Sequence, residues 1–314
     1  LCVMAFLSFF DYHYFCKLWL VIYGINLIML IGLIPFGKTV NNAKRWYGIG
    51  NFMTIQPSEF TKLFMIICMA VLLTKLKDKL NTWKSLLLIA VFCAPPLLLI
   101  KKQPDLSTTV DIFLIMVAMV YVTGLSYKLI GIVALILVPL SSVFFWYIQQ
   151  PGQKLLNDYQ LGRILAFRYP QDYALTTGYQ QTNSVMAIGS GMLTGKGLTS
   201  DSLATVKDAN LISEQQTDFI FSVVGEELGF IGCVFIIAIL LLIVLQCIHV
   251  ARNAKDTKGM LIAAGMGCLI AYQTFINIGV ATGVIPNTGL PLPFISYGLS
   301  SLLSISIGIG VVLN

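Results

Sequence analysis

The stretch Glu214-Gln215-Gln216-Thr217-Asp218-Phe219-Ile220-Phe221 divides the chain into two chemically different parts. It ends a long polar segment, residues 149–217, and opens a long apolar one. One carboxylate, Asp218, lies on that border. Apolar stretches alternate with polar loops before and after it, so we expect the border to be a membrane surface, with Asp218 lying at it.

The composition predicts a polytopic integral membrane protein. Of the 314 residues, 57% are hydrophobic and 11% are charged, whereas soluble domains carry about 25% charged residues. So few charges do not cover a water-facing surface. The net charge of +6 fits Lys and Arg at membrane borders, and we expect no nucleic-acid partner.

Two common kinds of site are not predicted. The seven cysteines lie in or beside apolar runs without a C-x-x-C pair, and His13 and His249 are isolated, so no zinc site is indicated. The glycine-rich segment around Lys196 is not a phosphate-binding loop, because Ser190 replaces its first glycine and Gly197 its hydroxyl residue. An ATP-driven pump is therefore not expected.

Hydrophobic stretches predict an all-α chain that forms a single transmembrane domain over residues 1–314. We expect residues 1–10 to be the end of a truncated helix, and the sequence to be trimmed at both ends. Pro95-Pro96 should kink or shorten its helix. A large extracytoplasmic loop, 149–217, joins the helices that end near 148 and start near 218. The predicted spans are Leu18 to Phe36, Ser58 to about Thr74, Ser85 to Ile100, Leu106 to Val122, Leu129 to Ile148, Phe219 to His249, Met260 to Val284 and Gly298 to Leu313.

Basic residues in the short loops predict the orientation, because cytoplasmic loops carry an excess of them. The more basic set of borders is assigned to the cytoplasm and holds Lys17, Lys75, Lys77, Lys79, Lys84, Lys128, Arg252, Lys255 and Lys258. The segments 37–57, 101–105, 149–217 and 286–297 then lie together outside. These segments are unusually basic for an outer face, which favours an anionic ligand there.

Several outer-face residues are candidates for that ligand. They are Arg45, Trp46, Gln56, Ser58, Glu59, Lys62, Gln103, Asp105, Lys196 and Ser296, with Asp218 as the candidate catalytic acid. Glu59 and Lys62 share one side of a helix, so Lys62 is either an ion-pair partner or a cation that Glu59 holds for the ligand. Trp46 either packs on a sugar or anchors the chain at the membrane interface.

Small residues follow Asp218 at helical spacing and predict close packing by another helix. They are Ser222, Gly225 and Gly229. Glu226 and Glu227 lie roughly 12 Å deeper, at about 1.5 Å per residue. Charges at that depth are expensive, so we expect these acids to be paired. For Asp111, inside another span, we expect a polar contact between helices.

Five motifs in order resemble those of the RodA/FtsW/SpoVE proteins, known as the SEDS family, of bacterial cell-wall synthesis. The match runs over nearly the whole chain. The motifs are Lys44-Arg45-Trp46 with Gln56-Pro57-Ser58-Glu59-Phe60-Thr61-Lys62; Gln103-Pro104-Asp105-Leu106; Ala187-Ile188-Gly189-Ser190-Gly191 with Gly195-Lys196-Gly197; Thr217-Asp218-Phe219-Ile220-Phe221 with Glu226-Glu227-Leu228-Gly229; and Asn277-Ile278-Gly279 with Pro291-Leu292-Pro293-Phe294-Ile295-Ser296-Tyr297-Gly298. Ser107 and Leu299 stand where the family usually has Gly. Tyr159-Gln160 and Gly178-Tyr179-Gln180 favour the RodA branch.

The resemblance implies a ten-helix fold whose first helix is missing and whose second is truncated. It implies a peptidoglycan glycosyltransferase in the bacterial cytoplasmic membrane that polymerises lipid II, with a class B penicillin-binding protein as partner. It also implies that the acid at the position of Asp218 is essential. A lipid II flippase and a non-catalytic scaffold of the synthesis complex are the alternatives, since intramembrane acids also serve transport.

The chemistry of that reaction suggests a role for each candidate. Asp218 would act as general base toward a sugar hydroxyl. Arg45 and Lys62, with Lys102 or Arg163, would hold a pyrophosphate. Asp105 would orient a basic residue or bind a divalent cation, Mg²⁺ or Mn²⁺, which is left open as a cofactor.

Overall fold

The computed structural model describes residues 2–40, 43–49, 53–148, 150, 153, 158–197 and 212–314. The described chain is mostly helical, with one small sheet. Its elements are α1 (Cys2–Leu7), α2 (Tyr12–Lys17), α3 (Trp19–Phe36), β1 (Lys38–Val40), β2 (Ala43–Ile49), β3 (Met53–Ile55), α4 (Pro57–Leu76), α5 (Trp83–Lys102), α6 (Leu106–Val122), α7 (Tyr127–Tyr147), α8 (Asp158–Arg168), α9 (Pro170–Tyr173), α10 (Tyr179–Ser190), α11 (Ile220–Asn253), α12 (Thr257–Ala281) and α13 (Leu299–Val312).

The eight predicted spans correspond to α3–α7 and α11–α13, with ends that differ by a few residues. Among the described residues, α3, α5, α11 and α12 are long and apolar enough to cross a membrane, and shorter apolar stretches are α6, the Tyr127–Val143 part of α7, and α13. The two prolines of α5 do not shorten the helix, which continues past both of them to Lys102. The predicted all-α membrane fold is therefore confirmed in its helices.

Two predicted loops contain regular structure. Residues 37–57 include an antiparallel three-stranded sheet in the order β1-β2-β3. The predicted large loop 149–217 contains α8, α9 and α10. Its residues 149, 151–152, 154–157 and 198–211 lie outside the described residues. Short polar elements escaped prediction because neither segment has a sustained hydrophobic period.

The chain separates into two compact units. The first unit comprises residues 1–124, 236–275 and 290–314, and the second comprises 125–235 and 276–289. Nearly all of the candidate binding residues lie in the first unit. Asp218 and Lys196 lie in the second. The single domain predicted over the whole chain stays a prediction.

Helix α4 lies at the centre of the first unit. Most of its residues are buried, including long apolar side chains on every face, as expected of a helix enclosed by others. Pro57 occupies the first turn, where its missing N–H costs nothing. The polar N-terminal turn of α4 therefore also lies within the core, and with it Ser58, Glu59 and Lys62.

Contacts within the first unit bring predicted outer segments to one end. Arg45 in β2 donates to the carbonyl oxygens of Gln103 and Pro104 in the turn between α5 and α6. The N–H of Gln56, before α4, donates to Oγ of Ser300 in the first turn of α13 at 2.9 Å. Loops 37–57 and 101–105 and the start of α13 thus meet, as the orientation predicted.

Predicted cytoplasmic borders also meet within the first unit. The Tyr12 hydroxyl donates to Oδ1 of Asp256 at 2.7 Å, and the Gly259 N–H donates to the same oxygen at 2.8 Å. Lys77 Nζ lies 3.4 Å from Oγ1 of Thr257. The start of α12 is therefore tied to α2 and to the end of α4.

Candidate catalytic and binding residues

Asp218 lies two residues before α11 and is partly exposed. Its carbonyl oxygen accepts a hydrogen bond of 2.7 Å from Nδ2 of Asn277 in α12. The next residue, Phe219, is 1% exposed and packs in an apolar cluster with Ile212 and Val280. The backbone of Asp218 is therefore fixed on both sides, while its side chain reaches the surface of the unit.

The segment after α12 is tied to α8 and α10. Gln181 of α10 donates from Nε2 to the carbonyl oxygens of Val280 and Ile285, at 2.9 and 2.7 Å. Arg163 of α8 donates from Nη1 to the carbonyl oxygen of Asn287 at 3.2 Å. The carbonyl groups of Ile285 and Asn287 lie beyond the end of α12, so these bonds fix the chain that leads to Gly289.

Lys196 forms a salt bridge with Glu226. Its Nζ lies 2.7 Å from Oε1, the Glu226 side chain is 1% exposed and that of Lys196 is 16% exposed. The predicted pairing of Glu226 is therefore confirmed. The ammonium of Lys196 faces a buried carboxylate, and this contact neither shows nor excludes the predicted binding of a substrate.

A loop from residue 191 to 197 closes a break in α11. Gly229 has φ 65° and ψ −164°, a conformation open essentially only to glycine. The N–H groups of Phe230 and Ile231 donate to the carbonyl oxygens of Met192 and Leu193. In return, the N–H groups of Lys196 and Gly197 donate to the carbonyl oxygens of Glu226 and Glu227. The loop thus replaces the helical bonds that the break removes, as irregular backbone at membrane depth requires.

The predicted stripe of small residues packs as expected. A Cβ on Gly225 would lie 2.9 Å from Cγ1 of Ile188 in α10. A Cβ on Gly191 would lie 1.9 Å from the carbonyl oxygen of Gly225. Only the missing side chains let α10 approach α11 so closely. This close approach places the 191–197 loop beside the break in α11 at Gly229.

Arg45 and Gln103 are brought together, whereas Trp46 makes no contact that assigns its role. Arg45 donates from Nε to the carbonyl oxygen of Gln103 at 3.0 Å. The side chain of Gln103 is 9% exposed, and those of Arg45 and Trp46 are partly exposed. Both readings of Trp46, sugar contact and interface anchor, stay open.

Glu59 and Lys62 form a buried ion pair in α4. Lys62 Nζ lies 2.7 Å from Oε1 of Glu59 and 3.8 Å from Oδ2 of Asp111 in α6. Lys62 and Ser58 are each 1% exposed, Glu59 is 4% exposed, and Asp111 is fully buried. The structure therefore favours the ion-pair interpretation of Lys62 and confirms the predicted contact between helices at Asp111.

Asp105 serves as the N-cap of α6. Its Oδ1 accepts from the Thr108 N–H at 3.1 Å, and its Oδ2 accepts from the Thr108 hydroxyl at 2.9 Å. The residue is 5% exposed, so both oxygens are used in capping. Among the described residues, no group of three or more His, Cys, Asp or Glu side chains is arranged to hold a metal ion. The binding of Mg²⁺ or Mn²⁺ by Asp105 stays a prediction, as does its alternative role of orienting a basic residue.

Gln56 and Ser296 support loop ends in the first unit. Gln56 is the N-cap residue of α4 and is partly exposed. Ser296 is 8% exposed, and its hydroxyl oxygen accepts from the N–H of Leu292 at 2.7 Å. That bond folds the proline-rich segment into a turn before α13. Neither contact excludes a ligand, and their binding roles stay predictions.

Two residues near Asp218 were not singled out as site residues from the sequence. Asn277 was noted only as part of a motif, although an amide within an apolar span and 1% exposed signals a structural hydrogen bond. The sequence places Gly289 only within the predicted outer segment 286–297. Its proximity to Asp218 depends on contacts between segments far apart in the chain, which no local pattern reveals.

The family model FTSW_RODA_SPOVE, described as a cell cycle protein, matches residues 1–314. The chain is 34% identical over 299 residues to peptidoglycan glycosyltransferase MrdB of Escherichia coli K12, covering 93% of this chain and 76% of that protein. It is 36% identical over 304 residues to the probable peptidoglycan glycosyltransferase FtsW of Bacillus subtilis 168, covering 92% and 71%.

Solved structures agree with these relatives. One chain of a peptidoglycan synthase complex matches with a TM-score of 0.78 and 27% identity, covering 99% of this chain and 84% of that one. The rod shape determining protein RodA of Thermus thermophilus matches with a TM-score of 0.66 and 25% identity, covering 99% and 82%. The apolar helices and these matches identify a multi-pass membrane protein, and the chain belongs to the FtsW/RodA/SpoVE family.

Proposed function

We propose that this chain is a peptidoglycan glycosyltransferase that polymerises lipid II, with Asp218 as general base. The relatives' names supply the reaction class. The observation that carries the assignment of the base is the setting of Asp218: a partly exposed carboxylate beside α11, on a backbone that Asn277 and Phe219 hold in place. A base must be both fixed and accessible to its substrate.

In the proposed reaction, the 4-hydroxyl of an acceptor sugar attacks the anomeric carbon of the donor. The bond from that carbon to the pyrophosphate breaks, and the hydroxyl oxygen forms the new glycosidic bond. The hydroxyl proton passes to the carboxylate of Asp218, and polyprenyl pyrophosphate leaves. A positioned base typically contributes about 10²–10⁴-fold. Because pyrophosphate is a good leaving group, a second carboxylate of the glycoside hydrolase kind is not required.

Positive charge would stabilise the departing pyrophosphate. Arg45 and Arg163 are partly exposed and Lys102 is exposed, and we retain them as its proposed partners. Lys62 has a different proposed role, because an ammonium that is 1% exposed and 2.7 Å from a carboxylate is already neutralised. Its pair with Glu59 supports the N-terminal turn of α4, from which the chain leads back through Gln56 to the sheet that carries Arg45.

The proposed location and partner follow from the same reaction. Lipid II polymerisation requires a bacterial cytoplasmic membrane, with the site on its outer face. A class B penicillin-binding protein, a transpeptidase, would crosslink the strands that this chain makes. The resemblance of the chain to a member of a solved peptidoglycan synthase complex supports an assembly of this kind.

The decisive experiment compares Asp218→Asn with wild-type protein in the polymerisation of purified lipid II, each in complex with its partner transpeptidase. Asn keeps the size of the side chain and loses the basic carboxylate. We expect polymer formation to fall by at least about 10²-fold, as loss of a general base implies. Glu214→Gln is the matched control, because it neutralises an exposed acid of the same segment and should leave the rate unchanged.

Each contrary result has a definite meaning. Polymerisation by Asp218→Asn at the wild-type rate would refute the assignment of the base. Wild-type protein that moves lipid II across vesicle membranes without lengthening glycan would favour the transporter. Polymerisation that depends only on the partner's own active site would favour the scaffold.

A further inference from the structure

A side chain at position 289 would meet the carboxylate of Asp218. A Cβ at position 289 would lie 3.0 Å from Oδ2 and 3.9 Å from Cγ of Asp218. Ordinary van der Waals contacts of a Cβ begin at 3.4 Å, so a side chain here would displace the carboxylate by a few tenths of an ångström. Gly289 also has φ +76°, a conformation in which residues with a Cβ are strained.

The turn that carries Gly289 is not free to move away from Asp218. The Asn287 carbonyl oxygen accepts from Arg163, and the Ile285 carbonyl oxygen accepts from Gln181. On the other side, Asn277 holds the carbonyl oxygen of Asp218. Because both the turn and the acid are anchored, a group added between them would be relieved mainly by movement of the Asp218 side chain.

The geometry points to Gly289 as a positioning residue for Asp218. Because Gly289 has no side chain, the carboxylate of Asp218 keeps the position from which it accepts the proton of the sugar hydroxyl. This inference rests on the proposed role of Asp218 as the base. The turn 286–289, which the sequence places only in a predicted outer segment, thereby takes a direct part in the geometry of the reaction.

Gly283 provides a matched control within the same unit. It has the same φ of +76°, and a Cβ there would lie 3.2 Å from Cγ2 of Val185, a side chain that is 44% exposed and able to move. Gly283→Ala and Gly289→Ala therefore introduce the same backbone strain and a similar contact. Only Gly289→Ala presses on Asp218.

The experiment measures kcat and KM for lipid II with the full-length protein and its partner transpeptidase. We expect Gly289→Ala to lower kcat by about 10- to 100-fold relative to Gly283→Ala, since small displacements of a reacting group have effects of this size. KM should stay within about twofold, and the two variants should melt at similar temperatures. Gly289→Asn, which tolerates positive φ better but keeps the Cβ, should show the same loss of kcat.

The outcomes separate this inference from the proposed function. If Asp218→Asn is inactive while Gly289→Ala and Gly283→Ala have equal kcat, the positioning role of Gly289 is wrong and the assignment of Asp218 as the base is kept. If Asp218→Asn is fully active, the proposed function is wrong, whatever Gly289→Ala does. Should Gly289→Ala fail to fold, Gly289→Asn decides: a folded variant with wild-type kcat would overturn the positioning role.

Discussion

Replacing Lys196 by Met should destabilise the protein strongly, because it removes the ammonium from a carboxylate that cannot return to water. Lys196 Nζ lies 2.7 Å from Oε1 of Glu226, whose side chain is 1% exposed. Removing one partner of a buried ion pair typically costs about 3–5 kcal/mol. At roughly 2 °C per kcal/mol for a large domain, the expected fall in Tm is about 6–10 °C.

The measurement is thermal unfolding of the purified protein in detergent, followed by intrinsic fluorescence. Lys128→Met is the control, since Lys128 is an exposed residue of α7 in the same unit, and such substitutions usually change stability by less than about 0.5 kcal/mol. The double variant Lys196→Met/Glu226→Gln removes both charges and should recover part of the lost stability. If Lys196→Met melts within about 2 °C of Lys128→Met, the reasoning from burial is refuted.

Two further predictions concern other parts of the fold. Gly229→Ala should severely lower the yield of monodisperse protein, because a Cβ would lie 2.3 Å from the Gly195 N in a conformation open essentially only to glycine. The control is Gly131→Ala, where a Cβ would meet nothing within 4 Å, and its yield should be normal. Yield is measured by size-exclusion chromatography, and equal yields of the two variants would contradict the account of the break. Asp256→Asn should lower Tm at pH 7 but not in acid. Partial burial raises the pKa of Asp256, but hydrogen bonds from Tyr12 and Gly259 outweigh it and leave the pKa below its usual 3.8. A carboxyl pKa that is lower in the folded state adds stability above the unfolded-state pKa, and this stability is lost as pH falls through the folded-state pKa. The Tm values of wild type and Asp256→Asn should therefore converge below about pH 4. A difference in Tm that stays constant with pH would contradict this.

The helical spans could be predicted because their signals are local. Within a membrane, a sufficiently long run of apolar residues forms a helix whatever its neighbours are, since its backbone N–H and C=O groups have no other partners there. The ends of α6 were marked by Asp105 and by Gly124, and the start of α4 by Pro57. The prolines of α5 do not shorten the helix, and the kink that they predict stays a prediction.

The candidate site was predicted in part. Position along the chain predicts that Asp218 lies at a membrane border, and motif order indicates the family. The sequence predicts Lys196 as a ligand-binding residue and Lys62 as either an ion-pair partner or a ligand-binding cation; in the structure each lies 2.7 Å from a carboxylate, of Glu226 and Glu59 respectively, and ligand binding by either stays a prediction. A sequence shows that a lysine is present, whereas its burial depends on which helices surround it.

The sequence by itself determined the membrane class and the helical spans, because hydrophobic length and helix-end residues act over a few turns, and it predicts that Asp218 lies at a membrane border. Tertiary structure alone decided the break at Gly229, its closure by the 191–197 loop and the placing of Gly289 against Asp218. These features join segments separated by tens of residues, and they depend on a side chain being absent where two backbones meet. The acid at the border is therefore a property of the sequence, and its fixed position is a property of the fold.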